Sequence, residues 1–275
     1  MIDKIPAYKI NRIYTPNTLV RGKDYLTPKE VELLLSKPIV IEEKVDGKQV
    51  KFEINGYILF GEDLTNTHTI YYQELPSPVL GIDIYSVHSK KFLDLPEKIR
   101  IFLQIGMIPV NVIYVGQISR ENFQEFLENL LFSTKSSFKT KINPKMVEVI
   151  RENEEVRDIL SKENFIEGIV VKNYETQLFG KIVNPTFEKI IDFVGRYEKY
   201  PYKNRWRVYS KKEYERYISR IIEKVKEYRK EVNYPEFLAE NMERNYMRYL
   251  SFLNFVSTSR EYKNIGKILE LKVSQ

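Results

Sequence analysis

Apolar and polar positions change rhythm along the chain, and the first clear element is a helix. Thr27-Pro28-Lys29-Glu30 is a capping box with proline at the first helical position; Val31, Leu33, Leu34 and Leu35 follow, and Lys37-Pro38 ends the run. Short runs rich in β-branched and aromatic residues come next. PIVIEEK, KQVKFEI, a turn at Asn55-Gly56, YILFGED, VLGIDIYSV and VNVIYVG predict closely spaced strands. A short helix opens at Asp94 to Glu97, another covers about residues 121–131, and the polar stretch from Thr134 to about Lys145 reads as a loop. Strands return in FIEGIVVKNY and QLFGKIV. Beyond Pro185 the period lengthens to that of helices. Ser210 to Glu213 is a second capping box; Tyr214, Ile218, Ile221, Val225 and Tyr228 fall on one stripe, and a further helix is expected from about Pro235 to Phe255. The pattern therefore predicts a strand-rich body and a helical tail.

Composition narrows the class. The 275 residues are 43% hydrophobic and 30% charged, with no apolar run near the about 18 residues of a membrane span, so the chain reads as soluble and globular. Charges within MIDKIPAYKI argue against a secretory signal. The absence of cysteine excludes disulfides, thiolate metal sites and a cysteine nucleophile, and fits a cytoplasmic protein. Only His68 and His88 are present, which disfavours zinc chemistry and histidine-based triads. The net charge of +6 is uneven: residues 186–275 hold 20 Lys and Arg against 13 Asp and Glu, whereas residues 1–185 hold 24 against 25. A basic tail on a near-neutral body suggests a polyanionic partner such as nucleic acid, or else only a solvated helical surface.

Four short strings hold the candidate chemistry. In Glu42-Glu43-Lys44-Val45-Asp46-Gly47-Lys48-Gln49 a lysine ends a strand and an Asp-Gly turn follows; alternation puts Glu42 and Lys44 on one face and Glu43 on the other. A lysine becomes a nucleophile only when deprotonated, which burial or nearby cations favour. Glu62 lies 18 residues on in FGED, Asp83 is in GIDIY, and Glu167-Gly168-Ile169-Val170-Val171-Lys172 precedes an isolated lysine, Lys181, in FGKIV. Each alone also reads as a surface charge or turn acid.

In this order the strings resemble the covalent nucleotidyltransferase superfamily of ATP-dependent ligases and capping enzymes, over about residues 5–190. GEDLTNTHTIYYQELPSPVLGIDIYSV looks like the corresponding stretch of RNA ligases of the phage T4 double-strand-joining type. The resemblance implies an α+β fold: an adenylyltransferase domain of antiparallel sheets with flanking helices over residues 1–190, and a basic, all-helical domain over 191–275. It implies a monomeric ATP-dependent RNA ligase, independent of membranes, joining 5′-phosphate and 3′-hydroxyl RNA ends in nicked duplexes or single strands. Its alternatives are a DNA ligase, a capping-type nucleotidyltransferase, or a non-catalytic nucleic-acid-binding homologue. Carried over residue by residue, Lys44 is adenylated, with Glu167 and Lys181 completing the catalytic set. Glu42, Val45, Gln49, Glu62, Ile82 and Lys172 join these three in binding ATP, and Glu62 and Glu167 hold Mg2+. In that scheme Glu42 approaches the adenine amino group, and Lys172 and Lys181 the phosphates. Gln49 stands where DNA ligases have arginine, and Ile82 where RNA ligases often stack an aromatic on adenine, so stacking must come from elsewhere or be replaced by apolar packing.

Overall fold

The computed structural model describes residues 8–54, 56–105, 107–151, 163–195, 197–205 and 211–231. One sheet is built from Asn11–Arg12 (β1), Ile39–Lys44 (β2), Val112–Gly116 (β9), Gly168–Asn173 (β11) and Leu178–Val183 (β12), in the order β1-β12-β11-β2-β9. Its neighbours are antiparallel except β1, which runs parallel to β12. A second sheet joins Lys48–Ile54 (β3), Tyr57–Asp63 (β4), Val79–Ser86 (β6) and Lys91–Phe92 (β7), with Ile108–Pro109 (β8) parallel to β6. Ile70–Tyr72 (β5) and Thr140–Ile142 (β10) make a separate antiparallel ribbon. Six α-helices complete the described residues: Pro28–Leu34 (α1), Leu95–Gln104 (α2), Phe123–Ser133 (α3), Pro144–Ile150 (α4), Pro185–Val194 (α5) and Lys211–Glu231 (α6).

Strand alternation separates chemistry from packing. Ile39 and Ile41 of β2, Ile169 and Val171 of β11 and Ile182 of β12 share one apolar face, which Leu34 of α1 and Leu127 and Leu131 of α3 cover. The opposite face of the same strands carries Glu42, Lys44, Val170, Lys172 and Lys181. In the second sheet Phe52, Leu59 and Ile84 pack with Phe102 of α2, while Glu62 and Gln49, cross-strand partners on β4 and β3, line the same cleft as Lys44. Each sheet thus buries one face against helices and turns charged groups towards the other sheet.

A bulge in β6 changes what its sequence would present. Phe60 pairs with Asp83 and Gly61 with Gly81, so Ile82 is an extra residue. The extra residue re-phases the strand, allowing Leu80 and Asp83, an odd spacing apart, both to serve the interior. Leu80 joins the main core and Asp83 is fully buried.

The predicted strands from PIVIEEK to QLFGKIV and the helices near 28, 95 and 123 are present. The stretch from Thr134 to Lys145 is not a continuous loop: Thr140–Ile142 pairs with β5, and Asn143 caps α4 ahead of Pro144. Three residues are too few for alternation to show in a sequence. Asn55, Ser210 and the helix expected at 235–255 lie outside the described residues. Of the tail stripe, Val225 and Tyr228 are buried in the main core.

Gly168 opens β11 where a Cβ would overlap the Ile182 carbonyl and stand 3.1 Å from Val183 Cα. Backbone cannot swing aside, so Gly168→Ala should lower stability by about 1–3 kcal/mol, the usual cost of overpacking. A thermal melt checks this, and an unchanged midpoint would contradict the packing described.

Candidate active site

The Lys-x-Asp-Gly turn is held by the segment after β4. Asp46 Oδ2 accepts the backbone N–H groups of Thr69 and Ile70, both at 2.8 Å, while its own N–H donates to Tyr72 Oη at 2.7 Å. The His-x-Ile-x-Tyr string thereby acts as a clamp on the turn. His68 Nδ1 lies 3.7 Å from Asp46 Oδ1, and burial lowers the imidazole to about 4, so at neutral pH it stands there uncharged. Burial and then Glu167 push the Asp46 carboxyl up to about 8. On the other side of the turn Gly47 N–H donates to Glu62 Oε1 at 3.2 Å, and a Cβ at Gly47 would collide with Asp63 O at 2.5 Å and Glu62 Cγ at 2.9 Å. The glycine is required by close approach.

Lys44 ends β2 with its ammonium 2.5 Å from Glu167 Oε1, its side chain 24% exposed. Burial alone would lower its pKa, but the Glu167 and Glu62 carboxylates raise it above the ordinary lysine value. Burial raises both carboxyls, Glu62 to about 7, against the pull of Lys44. Lys181 behaves oppositely: burial and then the Lys44 charge lower it. Glu167 keeps one buried oxygen, Oε2, without a hydrogen-bond partner.

Behind this front row lies a buried cluster of four charges. Lys98 of α2 donates to Glu42 Oε1 at 2.5 Å and Asp83 Oδ1 at 3.2 Å; Lys172 donates to Glu42 Oε2 at 2.5 Å and Asp83 Oδ2 at 2.7 Å. The Ile82 carbonyl accepts from both ammoniums. The hydroxyls of Tyr174 and Tyr8 donate to Asp83 as well. Burial would raise the Asp83 carboxyl, but Lys172 and Lys98 hold it below its ordinary value.

The predicted residues Glu42, Lys44, Val45, Gln49, Glu62, Ile82, Lys172 and Lys181 therefore line one cleft, and Glu167 enters it through Lys44. Glu42 and Lys172 are engaged with each other within the buried cluster. Glu43 points to the opposite face, where it accepts from Ser136 Oγ at 2.6 Å. Three contributors were missed. Lys98 sits in an ordinary amphipathic helix; Tyr8, stacked on Phe60 at 4.9 Å between ring centroids, and Arg12 lie in an N-terminal stretch with almost no periodic pattern. Only the deficit of cations opposite Glu42 and Asp83 could have suggested the first. Among the described residues no group of three or more His, Asp or Glu could hold a metal ion.

The cleft between the two sheets gathers the paired Lys44, the further cations Lys172 and Lys181, and the carboxylate Glu62. Residues 51–186, just under half of the chain, match the family model described as RNA ligase, which supports an RNA ligase-type nucleotidyltransferase. The matched span holds Glu62, Asp83, Glu167, Lys172 and Lys181 and begins after Lys44. No curated protein matches the chain. No helix among the described residues is long and apolar enough to cross a membrane.

Lys98→Met tests the buried cluster. Two carboxylates would then share one ammonium, and breaking a buried pair by removing one partner costs about 3–5 kcal/mol. A large fall in melting temperature is expected, and a shift within the range of a surface substitution would refute the cluster's structural weight.

Proposed function

We propose that the protein is an ATP-dependent RNA ligase that joins 5′-phosphate and 3′-hydroxyl ends through a lysyl-adenylate. The observation that carries this reading is the Lys44–Glu167 pair at the end of β2, in a cleft shared with Glu62, Lys172 and Lys181. In the first step deprotonated Lys44 Nζ forms a bond to the α-phosphorus of ATP as the bond to pyrophosphate breaks. In the second a 5′-phosphate oxygen of RNA takes the AMP and frees the lysine. In the third a 3′-hydroxyl loses its proton and bonds to the phosphorus of the RNA 5′-phosphate, and the bond from that phosphorus to AMP breaks, releasing AMP. Such transfers depend mainly on positioning and charge neutralisation.

The chain's own residues divide the work. Lys44 is the nucleophile, and Lys181 faces developing negative charge on the phosphates. Lys172 lends its charge from the buried cluster. Val45 and Ile82 give the base an apolar surface, and Tyr8 supplies the aromatic wall that Ile82 lacks. Gln49 and Glu42 border the same nucleotide space. Glu62 and Glu167 suit a Mg2+ that takes its other ligands from water and phosphate: Mg2+ commonly uses only one or two protein carboxylates, and Glu167 Oε2 is buried and unpartnered. When bound, the ion would supply charge neutralisation at phosphate oxygens. Residues 191–275, which include the lysine- and arginine-rich helix Lys211–Glu231, are proposed as the RNA-holding domain.

Incubation with α-labelled ATP and Mg2+, followed by denaturing electrophoresis, should leave one AMP on the wild type and none on Lys44→Ala. Label retained by Lys44→Ala would overturn the assignment. Glu62→Gln and Glu167→Gln should cut adenylation about 100-fold or more, the scale of losing a positioned electrostatic group, with little change in melting temperature. A large stability loss with adenylation retained would make these carboxylates structural.

The polymer is tested separately. Nicks whose 3′-hydroxyl strand is RNA should be sealed faster than all-DNA nicks. Equal sealing would favour a DNA ligase, and guanylate transfer from GTP to a diphosphate end would favour a capping enzyme.

A further inference from the structure

Arg12 has the marks of a ligand-binding residue that no catalytic string includes. It lies on β1, in register with Lys181 of β12, and Lys181 is in register with Val170 of β11. Residues paired in this way share a sheet face, and Lys181 and Val170 both line the Lys44 cleft, as does Ile10, two residues before Arg12. One nitrogen of the guanidinium, Nη2, is taken by Glu188 of α5, whereas Nη1 is fully buried and without a hydrogen-bond partner. The side chain as a whole is 9% exposed. Backbone hydrogen bonds from Arg12 N–H to Asp24 O and from Leu26 N–H to Arg12 O fix the strand beneath it.

A buried guanidinium N–H left unpaired is uncommon in a folded protein, because its hydration is lost without replacement. The charges about Lys181 say which ligand would complete it. Lys44 and Arg12 stand near it as cations and Glu167 and Glu188 as carboxylates. Arg12 and Lys181, in register on neighbouring strands, set two cations side by side, and an anion would complete the pair. A planar guanidinium beside an ammonium matches a tetrahedral phosphate, to which arginine donates through its fork while lysine acts as a point charge.

The geometry points to an anion subsite formed by Arg12 and Lys181 at the β1 edge of the Lys44 cleft, which takes a phosphate group other than the one attacked by Lys44. Two sources share that chemistry: the pyrophosphate end of ATP and the 5′-phosphate of a polynucleotide. The anion subsite stands on Arg12 and Lys181 alone, while the naming of these two sources rests on the ligase reading.

Inorganic pyrophosphate titrated calorimetrically into the full chain is the direct probe. Arg12→Gln should weaken its binding about 10- to 100-fold, the range for losing a charge-assisted hydrogen bond, while circular dichroism shows the fold intact. If Arg12→Gln fails to fold, Arg12→Lys, which keeps the charge but loses the fork, should still bind pyrophosphate several-fold more weakly. The two half-reactions then identify the source. Slower pyrophosphate-driven removal of AMP from the adenylated protein, with transfer to 5′-phosphorylated RNA unchanged, assigns the subsite to the nucleotide; the reverse pattern assigns it to RNA. Wild-type affinity for pyrophosphate in a folded variant, with both half-reactions unaltered, would overturn the proposal. A wild type that binds pyrophosphate in an Arg12-dependent way yet never forms an adenylate would instead sink the ligase reading and leave the anion subsite standing.

Discussion

Two carboxylates and two ammoniums, all buried and all shared, set the distance between the sheets. Glu42 and Lys172 come from one sheet, Asp83 from the other and Lys98 from α2, and each carboxylate accepts from both lysines. Desolvating four charges is costly unless every one is matched. Matching them demands that β2, β11, β6 and α2 meet in a single arrangement. A slip of one residue in β2 would exchange Glu42 for an isoleucine or for Glu43, and the match would be lost. Hydrophobic burial on the outer faces supplies cohesion, but it would tolerate several alignments. The charge cluster tolerates few.

The same cluster sorts the cleft into fixed and exchangeable charges. Glu42, Asp83, Lys98 and Lys172 neutralise one another in the interior and make a floor that is polar but rigid. Lys44 and Lys181 line the cleft outside that cluster, Lys44 paired with Glu167 and its side chain 24% exposed. The bulge at Ile82 serves this division directly, because it aims Asp83 inward and offers a carbonyl to both buried ammoniums. It also accounts for an apolar residue at that place in the sequence: the backbone of Ile82 works for the cluster while its side chain borders the cleft.

Much of this was legible in the sequence, for identifiable reasons. The strands could be read because their apolar runs are bounded by turns, and the order of Lys44, Glu62, Asp83, Glu167 and Lys181 resembles a known arrangement. Alternation correctly separated Glu42 and Lys44 from Glu43. What could not be read depends on long-range partners. Nothing local distinguishes Lys98 from a surface lysine on an amphipathic helix, and its burial follows only from Asp83 and Glu42 arriving from two sheets. Tyr8 and Arg12 lie in a segment whose two-residue strand has no period to detect. Asp83 reads as a turn acid until the bulge is known. The short strand at Thr140 depends on pairing with β5, which is itself three residues long.

For the proposed lysyl-adenylate chemistry, Lys44 held at 2.5 Å by Glu167 is a resting arrangement, since a protonated amine has no lone pair to offer. The carboxylates that place Lys44 also keep it charged. The proposed reaction would require Glu167 to be drawn to another cation as the phosphates arrive, and its buried Oε2 is without a hydrogen-bond partner. Lys181 complements this, because burial and the adjacent Lys44 lower its pKa and a phosphate beside it would raise it again. Arg12 differs from both in shape: its guanidinium is a planar fork of donors, one nitrogen of which is taken by Glu188. In the proposed reaction Lys44 would have to lose a proton, while Lys181 and Arg12 would meet the phosphates as donors. Such a set can admit a polyanion by exchanging internal ion pairs for ligand contacts, without moving the buried floor on which the two sheets depend.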